Sequence, residues 1–508
     1  MLTSNKSILA TLALLRAHGV RHFVLCPGSR NAGMVHSVCQ IKEFQVHTAT
    51  DERTAGFLAL GLALAENEAV AVIVTSGSAV ANLYPSACEA YYQHVPVIYI
   101  SADRPAAWIG QMDGQTMPQE NALGHMVKMS VNLPEDNPWH ANRLLNEAII
   151  CCRQRMPRGP VHINIPVSEP IYDFSIESLP QERVIRLCQS PCDLAPIPSG
   201  TLLLVGQMSP DQAFSDSLIQ TASKHITIVA ETLSNLPPSL ITNPTSVYWE
   251  RMPQVDLVIT IGGHLISKDL KEHFRNHPPK EHWHVSPNGD IADLFCHLTV
   301  ALQENSDRFL QDFLHVLPPS HSPLRLPLRK PQTPSLSGTR QQFLSRFFEL
   351  LPQDTAVFLA NSSTVRIAQQ CVAETGGKQL RFFCNRGING IEGSLSTAVG
   401  YAMARPKERV FMVLGDLSFF YDSNALWCAP LPDNLHILLL NDGKGAIFET
   451  LPLPAQPEMS RHAIMGRHTL SAKHIAQLYG VSYLKGDEWL ELFVNFKHTI
   501  IYEILENH

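Results

Sequence analysis

No basic excess, no cysteine framework and no long apolar run occur in this chain, and each absence removes a class of function. Lysine and arginine number 39 against 46 aspartates and glutamates, a formal charge of −7. Nucleic acid as the main partner is excluded, because a phosphate backbone is bound by a basic face. Any site for anionic ligands must be a local cluster of cations. The eleven cysteines are scattered apart from Cys151-Cys152, and none stands in a C-x-x-C pair. Such spacing fits reduced thiols in a cytoplasmic protein, not a disulfide scaffold or a zinc site. No stretch of about 18 apolar residues is present. The first twenty residues place Ile8, Leu12 and Leu15 on one face of an amphipathic helix, which is neither a signal peptide nor a membrane helix.

What remains is the composition of a soluble globular protein, 45% hydrophobic and 17% charged. At 508 residues the chain exceeds a single core and implies two to four domains. Apolar strand-like runs alternate with helical patterns, the mark of an α/β fold. Early strands are expected at 22–26, 69–74, 97–100 and 161–165. Proline-rich stretches divide the chain into domains at 1–185, 200–315 and 336–508, with linkers at 186–199 and 316–335.

The chain is organised around residues 409–448, RVFMVLGDLSFFYDSNALWCAPLPDNLHILLLNDGKGAIF. A buried strand over 410–414 ends on Gly415-Asp416, and a helix is expected over 417–429. A second strand over 437–440 ends on Asn441-Asp442-Gly443. Two parallel strands joined by a helical crossover end on the same sheet edge. Asp416 and Asp442 are twenty-six positions apart, which suits one crossover. Their carboxylates, with carbonyls of the 443–445 turn, are hard oxygen ligands suited to Mg²⁺ that still carries phosphate oxygens. Taken singly, each dipeptide reads as an ordinary strand-to-loop turn.

Further motifs lie at strand ends. PGSRNAG at 27–33 is either an anion cradle with Ser29 and Arg30 or a plain strand-to-helix turn. Glu52, in Asp51-Glu52-Arg53, suits a helix N-terminus by charge alone. It also suits proton transfer to an aminopyrimidine from a largely apolar pocket. TSGSAVANLYPS at 75–86 fits close helix packing as well as close approach to a ligand or partner. Arg104 ends a strand in SADRP, and Gln115 follows it. Lys268 follows a later strand and by itself reads more readily as a solvated lysine than as a ligand contact. NSSTVR at 361–366 and the Gly-rich NRGINGIEGS at 385–394 precede the central stretch and carry Arg366 and Arg386. Ile447, Phe448 and Leu451 form either an apolar wall or ordinary core.

These motifs, PGSR, DER, TSGSAVANLYP, ADRP, GPVHINIP, NSSTVR, NRG and GDLS, occur in an order that resembles the thiamine diphosphate enzymes. Within them the chain is similar to the 2-succinyl-5-enolpyruvyl-6-hydroxy-3-cyclohexene-1-carboxylate synthase family of the menaquinone pathway. The resemblance implies three doubly wound parallel-sheet domains of the decarboxylase type: pyrimidine-binding, middle and pyrophosphate-binding. It implies that 2-oxoglutarate is decarboxylated and its four-carbon fragment added to isochorismate. It makes Glu52 the cofactor-activating acid, and Gly415, Asp416, Leu417, Ser418, Asp442 and Ile391 the remaining cofactor contacts. Asp416, Asp442 and the Lys444 carbonyl would hold Mg²⁺, with Mn²⁺ as the second choice. Ser29, Arg30, Arg104, Gln115, Lys268, Ser362, Arg366 and Arg386 would hold substrate carboxylates and hydroxyls, and Ile447, Phe448 and Leu451 would pack on the second substrate. A homodimer or homotetramer with active sites at subunit interfaces is implied.

Three positions depart from that family pattern: Asp442 in place of Asn, Gly114 in place of Asn before Gln115, and Asp269 after Lys268 where a basic residue is common. The alternatives are another thiamine-dependent 2-oxoacid decarboxylase or acetohydroxyacid synthase, which would not be expected to need so many carboxylate-binding arginines, and a non-catalytic protein that reuses the fold.

Overall fold

A computed structural model of the protein describes residues 1–194, 196–212, 214–329, 340–374, 378–428, 430–450, 457–486 and 490–505. Its strands form three six-stranded parallel sheets, as the alternating pattern implies. The first contains β1 (His22–Leu25), β2 (Gln45–Thr48), β3 (Val70–Val74), β4 (Val97–Asp103), β5 (Met129–Asn132) and β6 (Val161–Pro166), in the order β2-β1-β3-β4-β6-β5. The second contains β7 (Arg186–Cys188), β8 (Thr201–Val205), β9 (Thr227–Ala230), β10 (Leu257–Ile261), β11 (Glu281–Ser286) and β12 (Leu298–Gln303), in the order β7-β12-β11-β10-β8-β9. The third contains β13 (Ala356–Leu359), β14 (Arg381–Phe383), β15 (Val410–Gly415), β16 (Leu435–Asn441), β17 (Ser482–Lys485) and β18 (Ile500–Leu505), in the order β14-β13-β15-β16-β18-β17. First and third sheets thus repeat one strand order, position for position. The chain divides into two compact units, Met1–Gln189 with Gly289–Gln303, and Ser190–Asn288 with Glu304–His508.

Burial explains which segments became strands. β3 (VAVIV), β4, β6, β8, β10, β13 and β16 are buried along their whole length. Parallel strands covered by helices on both faces read as such continuous apolar runs. β2 and β5 escaped the sequence reading because they are edge strands, QVHT and MSVN, with little to bury. The expected linker 186–199 contains β7, which pairs with β12 from Val300↔Arg186 onward. In the stretch 316–335, Leu328 bridges to Val247. The first helix, Lys6–Ala17, buries Ile8, Leu12 and Leu15 as expected, together with Leu9, Thr11, Ala13 and Leu14. Its covered face is therefore wider than a single stripe.

One element differs from expectation in a way that shapes the site. The helix expected over 417–429 is the short helix Asp416–Tyr421 followed by a 3₁₀ turn, Ser423–Trp427; Ala429 lies outside the described residues. The break falls at Asp422, whose carboxylate accepts the Ser396 amide at 2.8 Å and the Ser396 hydroxyl at 2.6 Å. That bond joins the short helix to the helix Ser394–Ala404. The latter starts at Gly393, whose φ of +72° is the left-handed conformation that favours glycine.

Candidate active site

β15 and β16 are neighbours, paired in parallel to Gly415↔Leu440. Asp416 follows one and Asp442 the other, so both carboxylates emerge at the same edge, where open α/β sheets hold ligands. Both are buried. Burial, then the charge and hydrogen bonding of Asp442, push the Asp416 carboxyl up to about 7, while the amides of Leu417 and Lys444 oppose this. Those amides donate to Asp416 Oδ1 at 2.6 Å and Oδ2 at 3.1 Å. Two further side chains that sequence reasoning did not find, a guanidinium and an imidazole, complete the setting. Arg340 Nη2 stands 2.6 Å from Asp442 Oδ2, and His468 Nε2 stands 3.3 Å from Asp416 Oδ2.

These carboxylates line a cavity of about 100 Å³ with Arg340, Asn361, Ser362, Ile391, Gly415, Leu417, Ser418, Lys444, Ile447 and Phe448 among its walls. The expected residues Gly415, Leu417, Ser418, Ile391, Lys444, Ser362, Ile447 and Phe448 are therefore gathered with Asp416 and Asp442; Leu451 lies outside the described residues. The Ser418 hydroxyl donates to the Ile391 carbonyl at 2.5 Å. The Lys444 carbonyl accepts the Ala446 amide at 3.0 Å. A side chain at Gly445 would meet the Phe448 ring at 2.7 Å, so glycine lets that ring close over the turn. Among the described residues no group of three or more His, Cys, Asp or Glu side chains is suited to a metal ion. The Asp416–Asp442 pair, with oxygen donors in a turn beside it, still suits a hard divalent cation.

Beside this cavity lie the expected arginines of the same unit. Arg386 is buried, and its Nη1 donates to Asn361 Oδ1 at 3.1 Å. Its Nε meets no hydrogen-bond partner among the described residues. Arg366 donates to the Ser362 carbonyl at 2.6 Å. Burial and the Arg386 charge lower the Arg366 pKa. With Lys268, Arg366 lines a second cavity of about 220 Å³.

In the other unit, Glu52 opens the helix Glu52–Glu66. The preceding Asp51 caps that helix, accepting the Arg53 amide at 2.9 Å. Glu52 is half-buried, and Asn82, from the TSGSAVANLYPS stretch, donates to its Oε2 at 3.5 Å. A side chain at Gly56 would meet Ser86 Oγ at 2.1 Å, which gives this small-residue stretch its close-packing role. Gly28 of PGSR lies against Thr75 in the same way, at 2.3 Å. Ser29 is exposed, whereas Arg30 is buried and donates to the Val167 carbonyl at 2.9 Å and Glu169 at 3.2 Å. Arg104 Nη1 stands 3.5 Å from Asp113 Oδ2. Gln115 is exposed, with its backbone against Gly77.

Residues 9–126 match the family profile described as the thiamine pyrophosphate enzyme N-terminal TPP binding domain. A protein of Phocaeicola vulgatus is 45% identical over 97% of this chain and 92% of its own length. Proteins of Bacteroides fragilis and Bacteroides thetaiotaomicron are 43% and 42% identical over 95% of this chain and 91% of their own lengths. All three bear the name 2-succinyl-5-enolpyruvyl-6-hydroxy-3-cyclohexene-1-carboxylate synthase. A solved benzoylformate decarboxylase from Polynucleobacter necessarius aligns over 99% of this chain and 98% of its own, with 17% identity and a TM-score of 0.42.

Proposed function

The chain belongs to the 2-succinyl-5-enolpyruvyl-6-hydroxy-3-cyclohexene-1-carboxylate synthase family, and from that premise we propose that it performs this synthesis in the menaquinone pathway. The reaction joins 2-oxoglutarate to isochorismate with loss of CO₂ and depends on thiamine diphosphate. The observation that carries the reading is the pair Asp416 and Asp442 at the ends of adjacent parallel strands in one walled cavity.

When bound, thiamine diphosphate supplies the nucleophilic carbon and the electron sink for decarboxylation. The chain's own residues do the rest. Asp416, Asp442 and the Lys444 carbonyl would hold Mg²⁺, and Gly415, Leu417, Ser418 and Ile391 wall the same cavity. Glu52 exchanges a proton with the aminopyrimidine. Ser362, Arg366, Arg386 and Lys268 would receive carboxylates, as would Ser29, Arg30, Arg104 and Gln115. Arginine suits that work because its planar fork neutralises and orients a carboxylate together. Ile447 and Phe448 keep water from the reacting carbon.

On this reading residues 1–185, 200–315 and 336–508 are the pyrimidine-binding, middle and pyrophosphate-binding domains. The subunits pair as a homodimer or homotetramer. Support comes from the apolar side chains left exposed on the helices Glu52–Glu66 and Tyr84–Tyr92: Phe57, Leu58, Leu64, Tyr84 and Tyr92. A cytoplasmic location is supported by the scattered spacing of the eleven cysteines, which fits reduced thiols. No helix among the described residues is long and apolar enough to cross a membrane.

The test is direct. Purified protein with Mg²⁺ and thiamine diphosphate should release CO₂ from 2-oxoglutarate and consume isochorismate in equal amounts. Turnover of pyruvate in place of 2-oxoglutarate would replace this reading with that of a different thiamine-dependent decarboxylase.

A further inference from the structure

The cavity of about 100 Å³ carries two carboxylates, Asp416 and Asp442, in its wall. A diphosphate would bring further negative charge into the same space, so the cavity needs cations of its own. Among the described walls two residues are cationic, Arg340 and Lys444. Lys444 is committed elsewhere, since its Nζ donates to Glu449 Oε1 at 2.6 Å. Arg340 is therefore the wall cation that faces the acidic pair, with Nη2 at 2.6 Å from Asp442 Oδ2 and both side chains largely buried.

The fold holds that contact from both sides. Arg340 opens the helix Arg340–Leu350, which buries Leu344, Phe347 and Phe348. Those three side chains belong to the same core as Val413 and Leu440, on the strands β15 and β16 that end at Asp416 and Asp442. One core thus fixes the guanidinium and both carboxylates relative to each other. Its electrical effect follows from sign alone. Together Arg340 and Asp442 carry no net charge, as an uncharged amide at 442 would. Without the guanidinium, the acidic pair would attract a divalent cation more strongly and repel a diphosphate more strongly. One side chain therefore acts in opposite directions on the two ligands.

We propose that Arg340 is a positioning residue of this site: it holds Asp442 in a neutral pair, which tempers binding of the divalent cation alone and admits the diphosphate. The site then takes up metal and diphosphate together, because the cation gains its full hold only when the anion accompanies it. The inference rests on the proposed function for the identity of the two ligands.

The experiment measures binding to the whole chain: Mn²⁺ alone, by the loss of its aqueous electron paramagnetic resonance signal, and thiamine diphosphate at saturating Mg²⁺, by calorimetry. Wild type comes first: failure to bind thiamine diphosphate with Mg²⁺ refutes the proposed function itself. Given a wild type that binds, Arg340→Gln should raise the Kd of thiamine diphosphate about tenfold and lower that of Mn²⁺ about tenfold, a usual scale of coupling between sites. Loss of stability weakens both ligands together and does not produce opposite shifts. Adding Asp442→Asn should bring the thiamine diphosphate Kd back to within about threefold of wild type, because the pair is neutral again. Where Arg340→Gln alone does not fold, the Asp442→Asn background decides: adding Arg340→Gln there should tighten Mn²⁺ about tenfold. The proposal is overturned by an unchanged Kd for either ligand in Arg340→Gln or by two shifts of the same sign. A double variant that keeps the thiamine diphosphate Kd of Arg340→Gln, or no gain for Mn²⁺ in the Asp442→Asn background, overturns it as well.

Discussion

Replacing Arg340 by glutamine tests whether its guanidinium holds the acidic pair in check. Nη2 lies 2.6 Å from Asp442 Oδ2, and the side chains are only 16% and 5% exposed. At that separation the bare attraction is roughly 6 kcal/mol for an effective dielectric of about 20, and desolvation of both charges offsets much of it. The variant reports something other than the net worth of the pair, because it leaves Asp442 buried without this counter-charge. That situation costs about 3–5 kcal/mol, and the carboxyl of Asp416 beside it removes any easy relief. In metal-free protein, Arg340→Gln should therefore lose about 3–5 kcal/mol of unfolding free energy in a urea titration. Asp442→Asn in the same background should return most of the loss, since a neutral amide needs no counter-ion. Saturating Mg²⁺ should stabilise Arg340→Gln by about 2.7 kcal/mol once the metal exceeds its Kd a hundredfold, and wild type by less. A metal-free Arg340→Gln protein that unfolds with wild type would refute the reasoning, as would a double variant no more stable than the single one.

Glu52→Gln should keep the fold and lower condensation by about 10²–10⁴-fold, because it removes one positioned proton-transfer group; circular dichroism and initial rates check the two halves. Gly114→Asn should be tolerated, since a side chain there meets nothing within 4 Å, and should lower KM for 2-oxoglutarate if, as the resemblance implies, an amide before the glutamine contacts that substrate. Asp293→Asn addresses pH. Burial raises the Asp293 pKa, but the Arg183 charge and the bonds from Leu298, Arg183 and Trp139 outweigh it and hold the carboxyl below its ordinary 3.8. Stability from such a group is complete above the unfolded value and is lost as pH falls through the folded one. The variant should cost about 3 kcal/mol at pH 7, and the gap in urea midpoints should narrow as pH falls below the ordinary 3.8.

Sheet strands buried on both faces were legible because their apolar runs leave no other reading. β3, β4, β6, β15 and β16 fell within a few residues of where the pattern put them. β2 and β5 did not show, since an edge strand buries one side at most and QVHT and MSVN carry no periodic signal. Local chemistry also hid the break at Asp422. The residue reads as a tolerable helical position, and only its bonds to Ser396, twenty-six residues upstream, end the helix there. A long-range bond of that kind has no footprint in a window of neighbouring residues.

The site divides along the same line. Asp416 and Asp442 were visible because each ends a recognisable strand, so topology alone brings them to one edge. Arg340, His468 and Glu231 were invisible because nothing in their own neighbourhoods marks them; each gains meaning from a partner far away in the chain. Their common property is charge balance. Arg340 and His468 face the two carboxylates, while Glu231 faces Lys271 and Arg366. On the proposed reading, a protein that concentrates cations for carboxylate substrates, and anions for a divalent metal, must keep both clusters folded before any ligand arrives. Uncompensated, each cluster would oppose its own burial. Ligand-binding groups sit where strand ends put them, and their counter-charges come from wherever the fold has a residue to spare, which is why motifs reveal the first set and only coordinates reveal the second.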